Sequence, residues 1–167
     1  PGSQATIWKM LEHLGHRIVA PVPSLFTFQI RDPRIIALAG IQVPHAHVSI
    51  RDTHLEAEGP LLITHWGVSG PAILKLSAWG ARVLYDQNYR FELLINWNPH
   101  WTLDDVRQLA ARESKKQVKN TSIPPVPRRL WHALLQDFPG LDQNWNTCTP
   151  TDLNQILEHI TSSQWQV

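Results

Sequence analysis

The sequence predicts an α+β protein. A β-barrel-like or β-sheet part comes first and a small helical part follows, with no Rossmann domain. Three observations predict this. Apolar residues alternate with period two in several short runs before residue 99. Between residues 101 and 161 they recur instead at helical spacing. The 167 residues are 43% apolar and only 17% charged, enough to fill the core of one ordinary domain or two small ones and unlike a disordered chain.

The elements follow in order. Residues 4–14 predict a short helix, with Ile7, Met10, Leu11 and Leu14 on one stripe and Gly15 to end it. Residues 17–23 turn extended, and Leu25, Phe26, Phe28 and Ile30 make residues 24–30 read as a strand. Residues 35–40 predict a single helical turn or a tight loop. Val43 to Arg51 alternates as a strand, and Pro44 suits an edge. Glu58-Gly59-Pro60 reads as a turn before a short buried strand, Leu61–Thr64.

Gly67 and Gly70-Pro71 then punctuate the chain. Ala72 to Trp79 reads as a helix, with Pro71 in the first turn, where a missing N–H costs nothing. A turn at 86–88 leads to a strand over 90–95. Beyond Pro99 the pattern becomes helical. Thr102 caps a helix running to about Lys116, with Asp104 and Asp105 complementing its dipole. A proline-rich loop spans 120–127 and a helix spans 127–138. A last helix, 150–160, is capped by Thr149 or Thr151 and carries Leu153, Ile156, Leu157 and Ile160 on one face. Trp165–Val167 is extended. The expected division is an entry helix over 1–16, a mainly β part over 17–99, a helical part over 100–161 and a returning strand over 162–167.

Formal net charge is +1, with 15 basic and 14 acidic side chains, which excludes a strongly basic nucleic-acid binder as a whole. A basic segment, 107–129, precedes an acidic one, 134–167. Two mutually complementing helix faces are the plain reading, and a docking face is the other. No apolar run is long enough to span a membrane. Eight aromatics are Trp, against four Phe and two Tyr, and their scatter points to packing rather than base stacking. The chain opens Pro1-Gly2-Ser3 without Met or signal-peptide pattern, and reads as a piece of a longer protein from a reducing cytoplasm.

Few residues suggest chemistry by themselves. Cys148 is the single cysteine, so no intrachain disulfide forms. It reads as a loop or cap residue, with a reactive thiol as the alternative. His45 and His47 share a strand face, but no third ligand is placed by spacing, although His54 and Glu56 are near; no metal site is expected. Gly67-Val68-Ser69-Gly70-Pro71 departs from a nucleophile elbow at its last position, so Ser69 reads as a helix cap rather than a hydrolase nucleophile partnered by His65. The distinctive stretch is Leu61–Ser77, a strand, a glycine-bracketed turn and a helix. Its glycines permit positive φ or the close approach of backbone or ligand, and its helix start could seat an anion or carbonyl group.

That stretch, "LLITHWGVSGPAILKLSAWGARVL", closely resembles the hallmark of the YhiN/BaiN-type family of FAD-binding, NAD(P)H-linked flavoproteins. The match to T-H-[FW]-G-[LV]-S-G-P-A-[IV]-L runs from Thr64 to Leu74 without a gap. "LEHLGHRIVAPVPSLFTF" resembles the family's entry segment, "LAGIQVPHAHVSI" its next strand pair and "PRRLWHALL" its helical part. In that family a flavin domain is interrupted by an inserted domain, part barrel-like and part helical. The resemblance implies that residues 17–165 are this insert, covering the flavin on the substrate side of an FAD-dependent oxidoreductase. Neither the dinucleotide fingerprint nor the closing glycine-rich segment is present, so the resemblance implies FAD in the intact parent, none on the fragment, and a fragment that is not catalytically complete. It places the cofactor- or substrate-side edge at Thr64, His65, Trp66, Gly67, Ser69, Gly70 and Pro71, and assigns no catalytic residue. The expected partners are the flavin-binding domain of the same parent chain and an unidentified small-molecule substrate, with no membrane and no nucleic acid. Gly2-Ser3 is either native or a cloning scar. The competing reading is a stand-alone interaction module that meets nucleic acid through residues 107–129.

Overall fold

The computed structural model describes residues 5–121 and 123–167. The start of the first helix at Gln4, the Gly2-Ser3 pair and Ser122 of the proline-rich loop lie outside them. Helix α1 spans Ala5–His13, strand β1 Phe28–Gln29 and helix α2 Pro33–Ile36. Then come β2 (Gln42–Ile50), β3 (Glu56–Thr64), β4 (Gly67–Ser69), α3 (Pro71–Trp79), α4 (Ala81–Asp86) and β5 (Glu92–Asn96). The helical part holds α5 (Leu103–Arg112), α6 (Arg128–Leu134) and α7 (Pro150–Thr161), with 3-10 turns at Val118–Asn120 and Trp145–Thr147. Strand β6 (Ser163–Gln166) returns to the sheet.

The six strands form one antiparallel sheet in the order β1-β4-β3-β2-β5-β6, curled into a half-barrel. The fold is therefore α+β, with a barrel-like sheet. Buried residues of both parts form one continuous cluster, from Phe28 and Val48 in the sheet to Trp131, Trp145 and Ile160 among the helices. Helix α3 lays Ala72, Ile73 and Leu76 onto β3 and β2. Helix α7 buries Ile156 and Ile160, each worth about 1.5–3 kcal/mol of removed apolar surface. Both long helices of the second part begin with reciprocal caps. Thr102 pairs with Asp105 at α5 and Thr149 with Asp152 at α7, so Thr149 rather than Thr151 is the cap.

Several sequence expectations change. Glu58-Gly59-Pro60 is not a turn but the middle of β3. Opposite it the register slips between Val43 and Ala46, a β-bulge at Pro44. Pro44 and Pro60 both fall at this irregularity, where a missing N–H breaks no regular ladder. The reversal lies instead at 51–55, with Asp52 at φ 60° and Thr53 Oγ1 donating to Ile50 O. The strand expected over 24–30 shrinks to β1, because Leu25 takes φ 58° and faces solvent. Strand β4 and helix α4 were not foreseen. Helices α5 and α6 end at Arg112 and Leu134, short of 116 and 138. Gly70 with φ 102°, not Ser69, is the N-cap of α3. Helix α1 carries its stripe as expected, yet Ile7, Met10 and Leu14 are exposed.

Candidate functional site

The distinctive stretch forms a tight hairpin. Thr64 pairs with Gly67, which leaves His65-Trp66 as a two-residue loop between β3 and β4. The Thr64 hydroxyl fixes it, accepting from Trp66 N–H and donating to Gly67 O, both at 3.3 Å. On its outer side the hairpin is stitched to the end of β1, where Ile30 N–H donates to Trp66 O at 2.9 Å. Gly67 has φ 142°, and a Cβ there would overlap Phe28 O and Ile30 N. Gly70 sits against Pro60 O in the same way. Backbone, not ligand, therefore occupies the space that both glycines leave. At the tip His65 is exposed, and Trp66 is 71% exposed.

Helix α3 connects this hairpin to a second feature. Ser77, fully buried, accepts from Phe26 N–H at 3.1 Å and donates to Leu74 O at 2.9 Å. It thereby holds Phe26 over the open seam of the half-barrel. There the two edge strands, β1 and β6, line a cavity of about 680 Å³. Its aromatic wall is a chain of tilted and edge-to-face rings: Phe26 with Phe28 at 5.8 Å, Phe26 with Tyr89 at 5.7 Å, and Phe28 with Phe91 at 5.0 Å. Arg31 and Arg90 stand at its exposed rim, and among the described residues its lining holds no carboxylate side chain, His or Cys. Asn88 and Tyr89 carry φ 52° and 57°, and Tyr89 Oη and Gln87 Oε1 are buried without a hydrogen-bond partner. Strain and an unsatisfied hydroxyl are thus concentrated beside the cavity.

Thr64, His65, Trp66, Gly67, Ser69, Gly70 and Pro71 fall together at the hairpin and the start of α3, next to β1. The cavity on the other side of β1 was not foreseen, although alternating Phe26 and Phe28 were visible. Tyr89, Phe91, Arg31 and Arg90 carried no local signal, because the curl of the sheet assembles them. Chemically, this face offers ring surfaces for a planar group and guanidiniums for an anion.

The other sequence candidates dissolve. His65 and Ser69 share no hydrogen bond among the described residues, so no hydrolase pair forms. His45 and His47 lie on the outer face of β2, and no metal-holding cluster exists among the described residues. His47 instead meets Glu56 at 3.3 Å. Burial pushes the Cys148 thiol up from its ordinary value, the opposite of activation. Much of the basic segment is neutralised locally. Arg107 pairs with Asp104, Arg112 and Lys116 with Glu113, and Lys119 with Asp142 of the acidic segment. No helix among the described residues is long and apolar enough to cross a membrane.

Comparison with known proteins adds two findings. A model of the HI0933-like protein barrel and H2TH domain matches residues 22–167. The chain is also 27% identical over 143 residues to a Haemophilus influenzae protein named ribosomal RNA dihydrouridine synthase. That alignment covers 82% of this chain and 34% of the relative, so the chain spans about a third of the curated relative's length.

Proposed function

Because this chain belongs to the family of HI0933-like barrel and H2TH domains, which corresponds to the YhiN/BaiN-type flavoproteins, we propose that it is the insert domain of an FAD-dependent, NAD(P)H-linked oxidoreductase, lying over the flavin on the substrate side. In place of the unidentified small molecule expected from the sequence, we take as substrate class the one that the name of its Haemophilus relative suggests, a uridine base within ribosomal RNA.

The observation that carries the reading is the shared position of two features on β1. The family's hairpin adjoins one side of that strand, and the ring-walled, arginine-rimmed seam cavity opens on the other. A substrate base could stack on Phe26 or Tyr89, an interaction worth about 1–3 kcal/mol per base. Arg31 and Arg90 would take its phosphates as charge-assisted partners. Trp66, standing out at the hairpin tip, would shield this face from water once the flavin domain packs against it.

The glycine-bracketed turn is not shaped as a cradle for a dinucleotide. Gly67 and Gly70 are filled by backbone, and Pro71 supplies no N–H at the start of α3. We therefore assign the dinucleotide to the remainder of the parent protein. The competing reading, a stand-alone module that meets nucleic acid through the whole 107–129 segment, is not favoured, because Arg107, Arg112, Lys116 and Lys119 already have carboxylate partners.

The test is kinetic, on the parent protein with a uridine-containing ribosomal RNA fragment. Arg31→Ala and Arg90→Ala should raise KM for RNA severalfold and leave flavin content unchanged. An unchanged KM in both variants, or no RNA-dependent oxidation of NAD(P)H at all, would refute the assignment.

A further inference from the structure

A second surface extends this reading. Between α2 and α6 runs a groove of about 600 Å³ whose lining, among the described residues, contains no carboxylate. Pro33, Ala37, Leu38 and Ala133 supply apolar surface, and Arg128, Arg129 and His132 supply the donors. Arg128 and His132 are one helical turn apart, so they share a face of α6. Arg34 also lines the groove, but its guanidinium is already held by Asp32 at 2.7 Å and Asp137 at 2.6 Å. Arg128 and Arg129 differ in this respect. Each gives one Nη2 hydrogen bond to a neutral oxygen, Arg128 to Asn120 Oδ1 at 2.7 Å and Arg129 to Ala37 O at 2.9 Å. These bonds orient the two side chains without cancelling their charge. Guanidiniums pre-positioned in this way bind anionic oxygens at a smaller entropic cost than free arginines.

We propose that the α2–α6 groove binds the sugar–phosphate backbone of single-stranded RNA, positioning the strand whose base reaches the seam cavity. The inference rests on the substrate class assigned above. Its own support is charge complementarity, together with continuity along the chain: Arg31 rims the cavity and Pro33 begins the groove only two residues later. The near-neutral net charge does not oppose it, because pairing elsewhere in the basic segment leaves Arg128 and Arg129 as its cations facing this groove.

The experiment is fluorescence anisotropy of this chain with a labelled oligouridylate of about 12 nucleotides, within the usual single-strand site sizes. Binding should weaken with salt. Arg128→Gln with Arg129→Gln should lower affinity about tenfold and flatten the salt slope by about 1.4, the value for two lost single-strand phosphate contacts. Arg107→Ala and Arg112→Ala, on α5, should change neither. If the double variant fails to fold, Arg128→Gln alone carries the test, since it spares the α6–Ala37 bond, and its slope should fall by about 0.7. Salt-independent or absent RNA binding would overturn the proposal, as would loss of binding through the α5 variants only. Capture of poly-glutamate in place of RNA would assign the groove to an acidic protein and overturn it equally. These outcomes are separate from the RNA-dependent oxidation of NAD(P)H by the parent protein, on which the broader reading stands or falls.

Discussion

Trp97 donates its indole N–H to Ser163 Oγ at 2.6 Å, joining the segment after β5 to the start of β6. The same hydroxyl accepts from Trp165 Nε1 at 3.0 Å and donates to Ile95 O at 3.0 Å. One small side chain therefore satisfies two indoles and fixes the last strand where the helical part returns to the sheet. Ser163→Ala leaves both indole N–H groups without their acceptor. Each orphaned donor costs about 1–3 kcal/mol, so the variant should lose about 2–6 kcal/mol in urea unfolding followed by tryptophan fluorescence. A loss below about 0.5 kcal/mol would show that water replaces the hydroxyl without penalty.

Gly67 and Trp66 are neighbours with opposite expected behaviour. Gly67→Ala forces an L side chain to φ 142° and into the backbone of Phe28 and Ile30. A cost of about 3 kcal/mol or more, or failure to fold, is expected. Trp66→Ala removes an exposed ring and should shift stability by less than about 0.5 kcal/mol. In the parent protein, however, it should impair turnover. A stable parent carrying Trp66→Ala with full activity would remove the hairpin tip from the functional face.

The reciprocal caps make acid stability predictable in sign. Hydrogen bonds from Thr149 and Thr102 hold the Asp152 and Asp105 carboxyls below their ordinary value, and those from Arg34 do the same for Asp32. Lowered folded-state values contribute stability above the unfolded value near 3.8, and that stability disappears as pH falls through the folded values. Unfolding midpoints should therefore hold between pH 7 and about 5 and decline below about 4. Asp32→Asn and Asp152→Asn should each flatten that decline. Thr149→Ala should cost about 1 kcal/mol at neutral pH.

Cys148 should alkylate slowly. Its thiol is half-buried, and burial raises its titration above the ordinary cysteine range, so little thiolate exists at pH 7. Iodoacetamide labelling should be slower than for a free thiol peptide and should accelerate on unfolding. Cys148→Ser should leave the fold intact.

The sequence was most legible where local chemistry decides. Helix α7, with Thr149, Pro150 and an Ile156–Ile160 stripe, follows from capping and periodicity alone. Four tryptophans fill the core as expected, among them Trp131, whose Nε1 donates to Val118 O at 2.9 Å, whereas Trp66 and Trp79 face solvent against the packing expectation. Misreadings came where tertiary pairing overrides a local signal. Gly59-Pro60 has turn composition, yet the bulge at Pro44 absorbs both prolines into the sheet. Strand β4 is only three residues long and exists because it pairs with β1 and β3. The hairpin of the candidate site was located by its motif, but its glycines serve backbone packing. The seam cavity was invisible in the sequence, since its rings come from residues 26–28 and 89–91, which only the curl of the sheet brings together.

The most direct test of the account is the visible spectrum of the whole parent protein, purified with and without this segment. The parent should carry bound FAD and lose its yellow colour on addition of NAD(P)H. With oxygen excluded and NAD(P)H stoichiometric to the flavin, ribosomal RNA should restore the colour only when the segment is present. A colourless parent that takes up no FAD on reconstitution would contradict the account. So would a parent lacking residues 17–165 that is still reoxidised by RNA at the full rate.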